Sequence, residues 1–463
     1  MRSLPTSPPA AQGVDASKVH AFLDALESAP DIEPHSLVLL RHGHVVASGW
    51  WAPYGPERPQ LLYSLSKSFT ATAAGFAVAE GLIRLDDPVI SYFPELDAEV
   101  TDPRTRAMLV RHIASMSSGH VEWTFDPALA LDPHDIVRGF LLLPPDRDPG
   151  TVFLYDQPAT YTLAAILQRV TGRTLTAYLR PRLFDPLGIG EVAWLHDRAG
   201  RELGFSGLHA TTDAVARLGQ LYLARGVWEG ERVLPEAWVA EATRVQIANG
   251  EGTSDWERGY GFQFWMSRHG YRGDGAYGQF CVVLPEQDAV LALTSETTDM
   301  QKVLDLVWQH LLPACGPAPL SGRESVDKAL AERLGLLAVA LAEGSPREGD
   351  VTVFTPYGGV CAGQPTLTAV EAGPEGRLTL VEDGHRLELR LRPGVWTVTE
   401  DDVPAAVSGG WTDEDTLAVD VAFLETPHHL LVTCSRSDRT FTARWRTQPL
   451  HDGPLRRMRA PRG

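Results

Sequence analysis

The chain has 463 residues, 44% of them hydrophobic and 22% charged, with 42 Gly and 34 Pro. That is the texture of ordinary folded domains, and at about 150 residues per domain it leaves room for about three units, or one large domain with an appendage. Lys and Arg number 41 against 59 Asp and Glu, a net charge of −18 whose field repels nucleic-acid phosphates and anionic membrane surfaces. Disordered and collagen-like chains are excluded, and neither nucleic acid nor membrane is expected as a partner. No stretch approaches the roughly 18 apolar residues of a membrane span, and the opening MRSLPTSPPAAQGVD lacks the apolar run of a cleaved secretion signal. Cys281, Cys315, Cys361 and Cys434 fall in no Cys-x-x-Cys pair. Buried, reduced thiols and a cytoplasmic protein are expected.

Residues 1–14 form a Pro/Ser/Ala-rich flexible tail. Next, Val19, Phe22, Leu23 and Leu26 recur at helical spacing over 15–27, with Asp15 placed to cap that helix. Residues 35–54 cluster β-branched and apolar residues around His42-Gly43, the pattern of a hairpin. The Ala-rich segment 64–83 is apolar almost all round and predicts a buried central helix. Helices are expected at 160–172, 174–181, 211–225 and 235–243, strands within 259–268 and 278–296, and a closing helix at 300–312. Strands near both ends of a helical middle predict an α/β or α+β domain over 15–312, its one sheet assembled from both pieces. A Pro/Gly/Ser-rich linker with a short helix, 313–345, leads to a C-terminal domain, 346–463. There, eight β-rich runs spaced by about ten residues predict a small antiparallel barrel or sandwich.

The chemistry centres on Ser64-Leu65-Ser66-Lys67 at the start of the central helix. A three-residue step puts the Ser64 hydroxyl and the Lys67 amine on one face. A serine hydroxyl needs a base in contact with it, and a lysine desolvated between apolar walls can be neutral enough to serve. The helix N-terminus adds N–H groups where an oxyanion would form. Alone, Ser-x-x-Lys is equally the pattern of a helix cap with a solvated lysine. About ninety residues on, Pro149-Gly150-Thr151 leads to Tyr155-Asp156-Gln157 on a loop before the next helix.

Together with YSLSKSFTATAAGFAVAEGLIRLDDPVISYFPE (63–95), RHIASMSSGH (111–120), PGTVFLY (149–155), ARLGQLYLARGVWEGERVLPEAWV (216–239), GYGFQFW (259–265) and DGAYGQ (274–279), these residues give a plain resemblance. The chain resembles the serine β-lactamase and penicillin-binding-protein superfamily, in the class C-like group of esterases, D-aminopeptidases and amide hydrolases. The resemblance covers about 15–312. It implies a β-lactamase/transpeptidase-like fold with a central antiparallel sheet and a helical subdomain, followed by a lipocalin-like all-β barrel. It also implies Ser64 as nucleophile, Lys67 as its base and Tyr155 as the proton shuttle, with no metal or organic cofactor. The oxyanion hole would be the backbone N–H groups of Ser64 and Tyr277.

Two positions depart from the family pattern. Gln157 stands where an asparagine is usual, one methylene longer, as a substrate-contacting amide. Asp274-Gly275-Ala276 stands where a Lys-Thr-Gly or His-x-Gly motif is usual; Gly275 and Ala276 would leave room for the substrate backbone. An acid at 274 would repel the carboxylate of ordinary β-lactams and favour neutral or cationic ligands. The expected substrate is therefore a small-molecule carboxylic ester, with an amidase, D-aminopeptidase or peptide-cyclising thioesterase as the alternative. A reading of another class is a non-catalytic ligand-binding or sensor protein with the barrel as its binding unit. Neither the sequence nor the resemblance fixes an oligomeric state. His42, His44, His112 and His120 lack metal-ligand spacing, and His428 and His429, adjacent on an expected strand, face opposite sides. Trp50, Trp51, Trp123 and Trp265 are candidates for core packing or for the lining of an aromatic cleft.

Overall fold

The computed structural model describes residues 3–345, 347, 349–451 and 453–462. Helix α1, Ala16–Ser28, starts where the Asp15 side chain accepts from the Ser17 N–H and buries Val19, Phe22, Leu23 and Leu26. The hairpin forms as β1, Ile32–Arg41, and β2, His44–Trp50. The central helix α2 spans Ser66–Ala79, with Ser66 through Ala77 all buried. Three further helices matter for the site: α3, Gln157–Thr171; α4, Thr212–Leu223; and α5, Met300–Leu306.

Four C-terminal strands complete the sheet: β3, Trp265–Met266; β4, Tyr271–Gly275; β5, Gln279–Leu284; and β6, Ala289–Thr297. The order is β2-β1-β6-β5-β4-β3, and every neighbouring pair is antiparallel. On β5, Cys281 and Val283 join the core shared with α2 and α4, while Phe280, Val282 and Leu284 join the core shared with α1 and α5. Both faces are covered, as the period-two alternation of side chains requires when both sets are apolar. The sheet is thus built from the two ends of the domain, as the sequence pattern implies.

The C-terminal sheet has nine strands: β7, Thr352–Pro356; β8, Leu367–Ala372; β9, Arg377–Glu382; β10, His385–Arg390; β11, Thr397–Thr399; β12, Ala405–Trp411; β13, Thr416–Phe423; β14, His429–Ser435; and β15, Thr440–Trp445. They run in the order β10-β9-β8-β7-β15-β14-β13-β12-β11, and the end strands β10 and β11 come back into contact, so the sheet curls into a nearly closed barrel around its own apolar core. Two expectations need correction. The barrel has a ninth strand at Ala405–Trp411, and it is not wholly antiparallel, because β7 and β15 pair in parallel through Thr355 with Thr440 and Pro356 with Phe441.

The described part of the N-terminal tail is not loose. The Ser7 N–H donates to the carbonyl of Val45 on β2 at 3.0 Å, the Val45 N–H donates to the Pro5 carbonyl at 2.8 Å, Leu4 is buried, and the Gly316 N–H donates to the Gly13 carbonyl at 2.7 Å. The 313–345 segment likewise packs down. Its helix α6, Glu324–Leu334, buries Leu330, and Leu337 and Val339 join the core under α1 while bonding the backbone of Ala52. Apolar residues in both segments supply the burial that holds them. Among the described residues no helix is long and apolar enough to cross a membrane. The four cysteines are unbridged, three of them buried and Cys315 half-buried.

Candidate active site

Ser64 lies in a single 3-10 turn, Tyr63–Leu65, immediately before α2 rather than on the helix itself. The turn is entered through Tyr63 at φ +46°, a left-handed conformation that a bulky side chain adopts only when its surroundings hold it there. Ser66 supplies one restraint, donating to the Tyr63 carbonyl at 2.6 Å and accepting from the Leu208 N–H at 3.0 Å.

Lys67, one turn further on and 1% exposed, brings its Nζ to 3.1 Å from Ser64 Oγ, 2.6 Å from Gln157 Oε1 and 2.8 Å from the Phe205 carbonyl. Burial pulls its pKa down to about 7, while the carboxylates of Asp274 and Asp156 push the other way. In the neutral amine two N–H bonds are taken by the two carbonyl oxygens, which leaves the lone pair facing the Ser64 hydroxyl. That is the arrangement a general base needs.

Tyr155 arrives on the loop before α3, with its ring 4.8 Å under Lys67 Nζ and stacked on Trp265 at 5.0 Å. Burial and the Asp274 charge raise its pKa far above the usual phenol range, against a hydrogen bond with Ser64 that lowers it. It is a neutral phenol at any working pH and can pass a proton without standing as a phenolate. Ser64, Lys67, Tyr155 and Gln157 are therefore brought together as the sequence reading expects. Gln157, however, spends its carbonyl oxygen on Lys67, and its added methylene lets it reach from the first residue of α3.

Asp274 and Gly275 of the third motif lie at the end of β4, a strand the sequence pattern does not predict, and Asp274 does not present a bare charge. Arg272 Nε, itself wholly buried, donates to Asp274 Oδ2 at 2.8 Å, and Trp265 adds a further hydrogen bond. Arg272 is in turn held by the Asp255 and Met266 carbonyls and lies 4.4 Å from the Trp256 ring. The charge attributed to the substrate edge is matched inside the protein, and what remains of it acts on Lys67. Gly275 packs directly behind the nucleophile turn: a Cβ there would come within 2.1 Å of the Leu62 carbonyl oxygen and 3.0 Å of the Leu65 nitrogen. Ala276 and Tyr277 form the turn into β5, Tyr277 with φ +67°.

Several neighbours escape a reading by motif. Asp156 is fully buried, accepts from the Thr124 N–H at 3.3 Å and from the Thr124 hydroxyl, and has its pKa raised to about 6 by burial. It ties the Tyr155 loop to the segment carrying Trp123 and Phe125. Phe125 meets Phe205 edge-on at 5.9 Å, so an aromatic wall rises beside Lys67, ending in Trp123 at 44% exposure. Only the adjacency of Asp156 to Tyr155 in sequence hinted at the first of these. Trp51, by contrast, is a buried core residue donating to Glu27. His428 and His429 do face opposite partners, Tyr63 and Asp420 respectively.

Residues 24–312 match the Beta-lactamase family. Among curated relatives, the 6-aminohexanoate-dimer hydrolase of Paenarthrobacter ureafaciens is 31% identical over 310 residues, 60% of this chain and 78% of that protein. The lovastatin esterase of Penicillium rubens is 28% identical over 199 residues, 38% of this chain and about half of that protein, 49%. Among solved structures, the octameric penicillin-binding protein homologue from Pyrococcus abyssi superposes with a TM-score of 0.51 at 18% identity, covering 90% of this chain and 98% of that one, so the likeness of fold extends through the barrel. The sequence match takes in more than half of the chain, the nucleophile turn and the β4 edge included, and it makes the protein a member of the beta-lactamase family, a serine hydrolase of esters or amides.

Proposed function

We propose that the protein hydrolyses carboxylic esters of small molecules through an acyl-enzyme on Ser64. The observation that carries this is the neutral-leaning Lys67 amine 3.1 Å from Ser64 Oγ, its N–H bonds already engaged. In acylation Lys67 takes the Ser64 proton as Oγ attacks the carbonyl carbon. The oxyanion is received by the Ser64 and Tyr277 N–H groups, each such donor being typically worth about 10²–10³ in rate. The proton passes through the Tyr155 hydroxyl to the leaving oxygen, and the alcohol departs. Water then attacks the ester of Ser64, the same Lys67–Tyr155 pair takes its proton, and Ser64 is returned with release of the acid. The chemistry needs no metal or organic cofactor.

The aromatic wall of Trp123, Phe125 and Phe205 favours an apolar group beside the scissile bond. A second reading, amide hydrolysis, is favoured by the 31% identity to a protein named for hydrolysing the 6-aminohexanoate dimer. A panel of a neutral p-nitrophenyl ester, an amide with a free amino group and nitrocefin separates the readings. The proposal expects the ester to be turned over fastest by kcat/KM; faster amide turnover would transfer the assignment to an amidase, and fast nitrocefin turnover would overturn both. Failure of a fluorophosphonate to label the wild type would leave the non-catalytic sensor.

A further inference from the structure

The two residues at the proposed oxyanion hole share an unusual feature: both Tyr63, which precedes the Ser64 N–H, and Tyr277, which carries the other donor, hold left-handed backbone at φ +46° and +67°. Both side chains run away from the cleft into the C-terminal barrel. Tyr63 Oη lies 2.5 Å from His428 Nε2, and the Tyr277 hydroxyl donates to the Gln448 carbonyl. The two tyrosine rings meet edge-on at 5.3 Å, and each packs edge-on against the His428 ring, at 5.8 and 4.9 Å. His428 is wholly buried, and its Nδ1 is 3.0 Å from the Thr447 carbonyl. A carbonyl only accepts, so Nδ1 carries the proton and Nε2 is the acceptor for the Tyr63 hydroxyl. Nearby, the Leu61 N–H donates to the Glu425 carbonyl at 2.9 Å, fastening the chain entering the nucleophile turn to the same barrel loop.

We infer that His428 is a positioning residue for hydrolysis: with Gln448 it makes the barrel the brace that fixes Tyr63 and Tyr277, and through them the two oxyanion N–H donors. The inference rests on the proposed acyl transfer at Ser64 and gives the barrel a catalytic purpose without a contact to substrate. Strained backbone persists only where surrounding structure over-determines it. Here the restraint comes from the other end of the chain, 365 residues away along the sequence.

The test measures p-nitrophenyl ester hydrolysis by the full-length protein, with kcat expressed per serine labelled by a fluorophosphonate at saturation, alongside thermal melting. Because a displacement of the reacting frame by about an ångström costs up to about 10²-fold, His428→Ala and Tyr63→Phe are each expected to lower kcat per labelled site by about 10- to 100-fold with KM little changed. His428→Gln, which puts an amide oxygen at the Nε2 position, is expected to recover most of it. The double variant Tyr63→Phe/His428→Ala should fall by less than the product of the two single losses, since the Tyr63–His428 bond is lost in both. Variants that melt earlier yet keep wild-type kcat per labelled site would reduce His428 to a structural role and overturn the inference. Should His428→Ala fail to fold, Tyr63→Phe and Tyr277→Phe, each lacking one oxygen, decide it by the same measure. A wild type that takes no label would defeat the Ser64 reading and this inference together, whereas a labelled wild type with indifferent variants defeats the inference alone.

Discussion

The base in this site should reveal itself in the pH dependence of acylation. Burial carries the Lys67 pKa from the 10.5 of a free lysine to about 7, a difference of roughly 5 kcal/mol in favour of the neutral form at about 1.4 kcal/mol per unit. Only the neutral amine can accept the Ser64 proton. With an inflection near 7, the competent fraction rises from about 9% at pH 6 to about 91% at pH 8, a roughly tenfold gain in the rate of fluorophosphonate labelling and in kcat/KM for an ester. A lysine of ordinary pKa would instead give a rate still climbing tenfold per unit at pH 9. Glu296, at the junction with the barrel, also has its pKa moved to about 7, by burial, so the profile is repeated with Glu296→Gln, which keeps the oxygen accepting from Thr447 at 3.0 and 2.6 Å. If Lys67 is responsible, the inflection stays in that variant and is also retained, though shifted, in Asp156→Asn, which removes the other neighbouring group raised into this range, to about 6. His428, His209 and His112 do not interfere, because burial holds them near 3, 4 and 4. A profile flat between pH 6 and 8, or an inflection that disappears with Glu296→Gln, would refute Lys67 as the base.

Other consequences are equally direct. Asp156→Asn removes an anion that raises the Lys67 pKa, so the inflection should move to lower pH; movement upward would contradict the assigned sign. Gln157→Ala deletes the 2.6 Å acceptor of Lys67 and is expected to lower kcat by about tenfold, read from steady-state kinetics on the ester. Gly275→Ala drives a Cβ into the Leu62 carbonyl and the Leu65 nitrogen behind the nucleophile turn. Overpacking of this kind costs about 1–3 kcal/mol, so a lower melting temperature should accompany loss of activity. An unchanged melting temperature would show that β4 can move away from the turn.

How much of this was legible in the sequence depended on whether local pattern or distant contact fixed each part. Helix α2 announces itself because every face is apolar or small, and Asp15, Val19 and Phe22 mark α1 by cap and spacing. Strand β4 was hidden: Tyr271-Arg-Gly-Asp-Gly275 has the composition of a turn, and its two charged residues survive in a buried strand only because they pair with each other and with Trp265 and Asp255. For the same reason Asp274 read as a free charge. Strand β12, Ala405–Trp411, was missed because Ala, Ser and Gly carry little strand signal, and their small size suits a barrel wall where Gly410 meets the Ser345 backbone. Ser64, Lys67 and Tyr155 were legible through motif. The brace on Tyr63 was not, since nothing local to residue 63 records a histidine 365 positions later.

The central claim is a covalent acyl-enzyme on Ser64. Mixing the protein with a p-nitrophenyl ester, quenching in acid within the first turnovers and mapping the modified peptide by mass spectrometry tests it most directly. The account predicts one acyl group per chain, on the peptide containing Ser64, absent from Ser64→Ala and built up more slowly at pH 6 than at pH 8. Ester cleavage with no acylated peptide, or acylation that persists in Ser64→Ala, would contradict it.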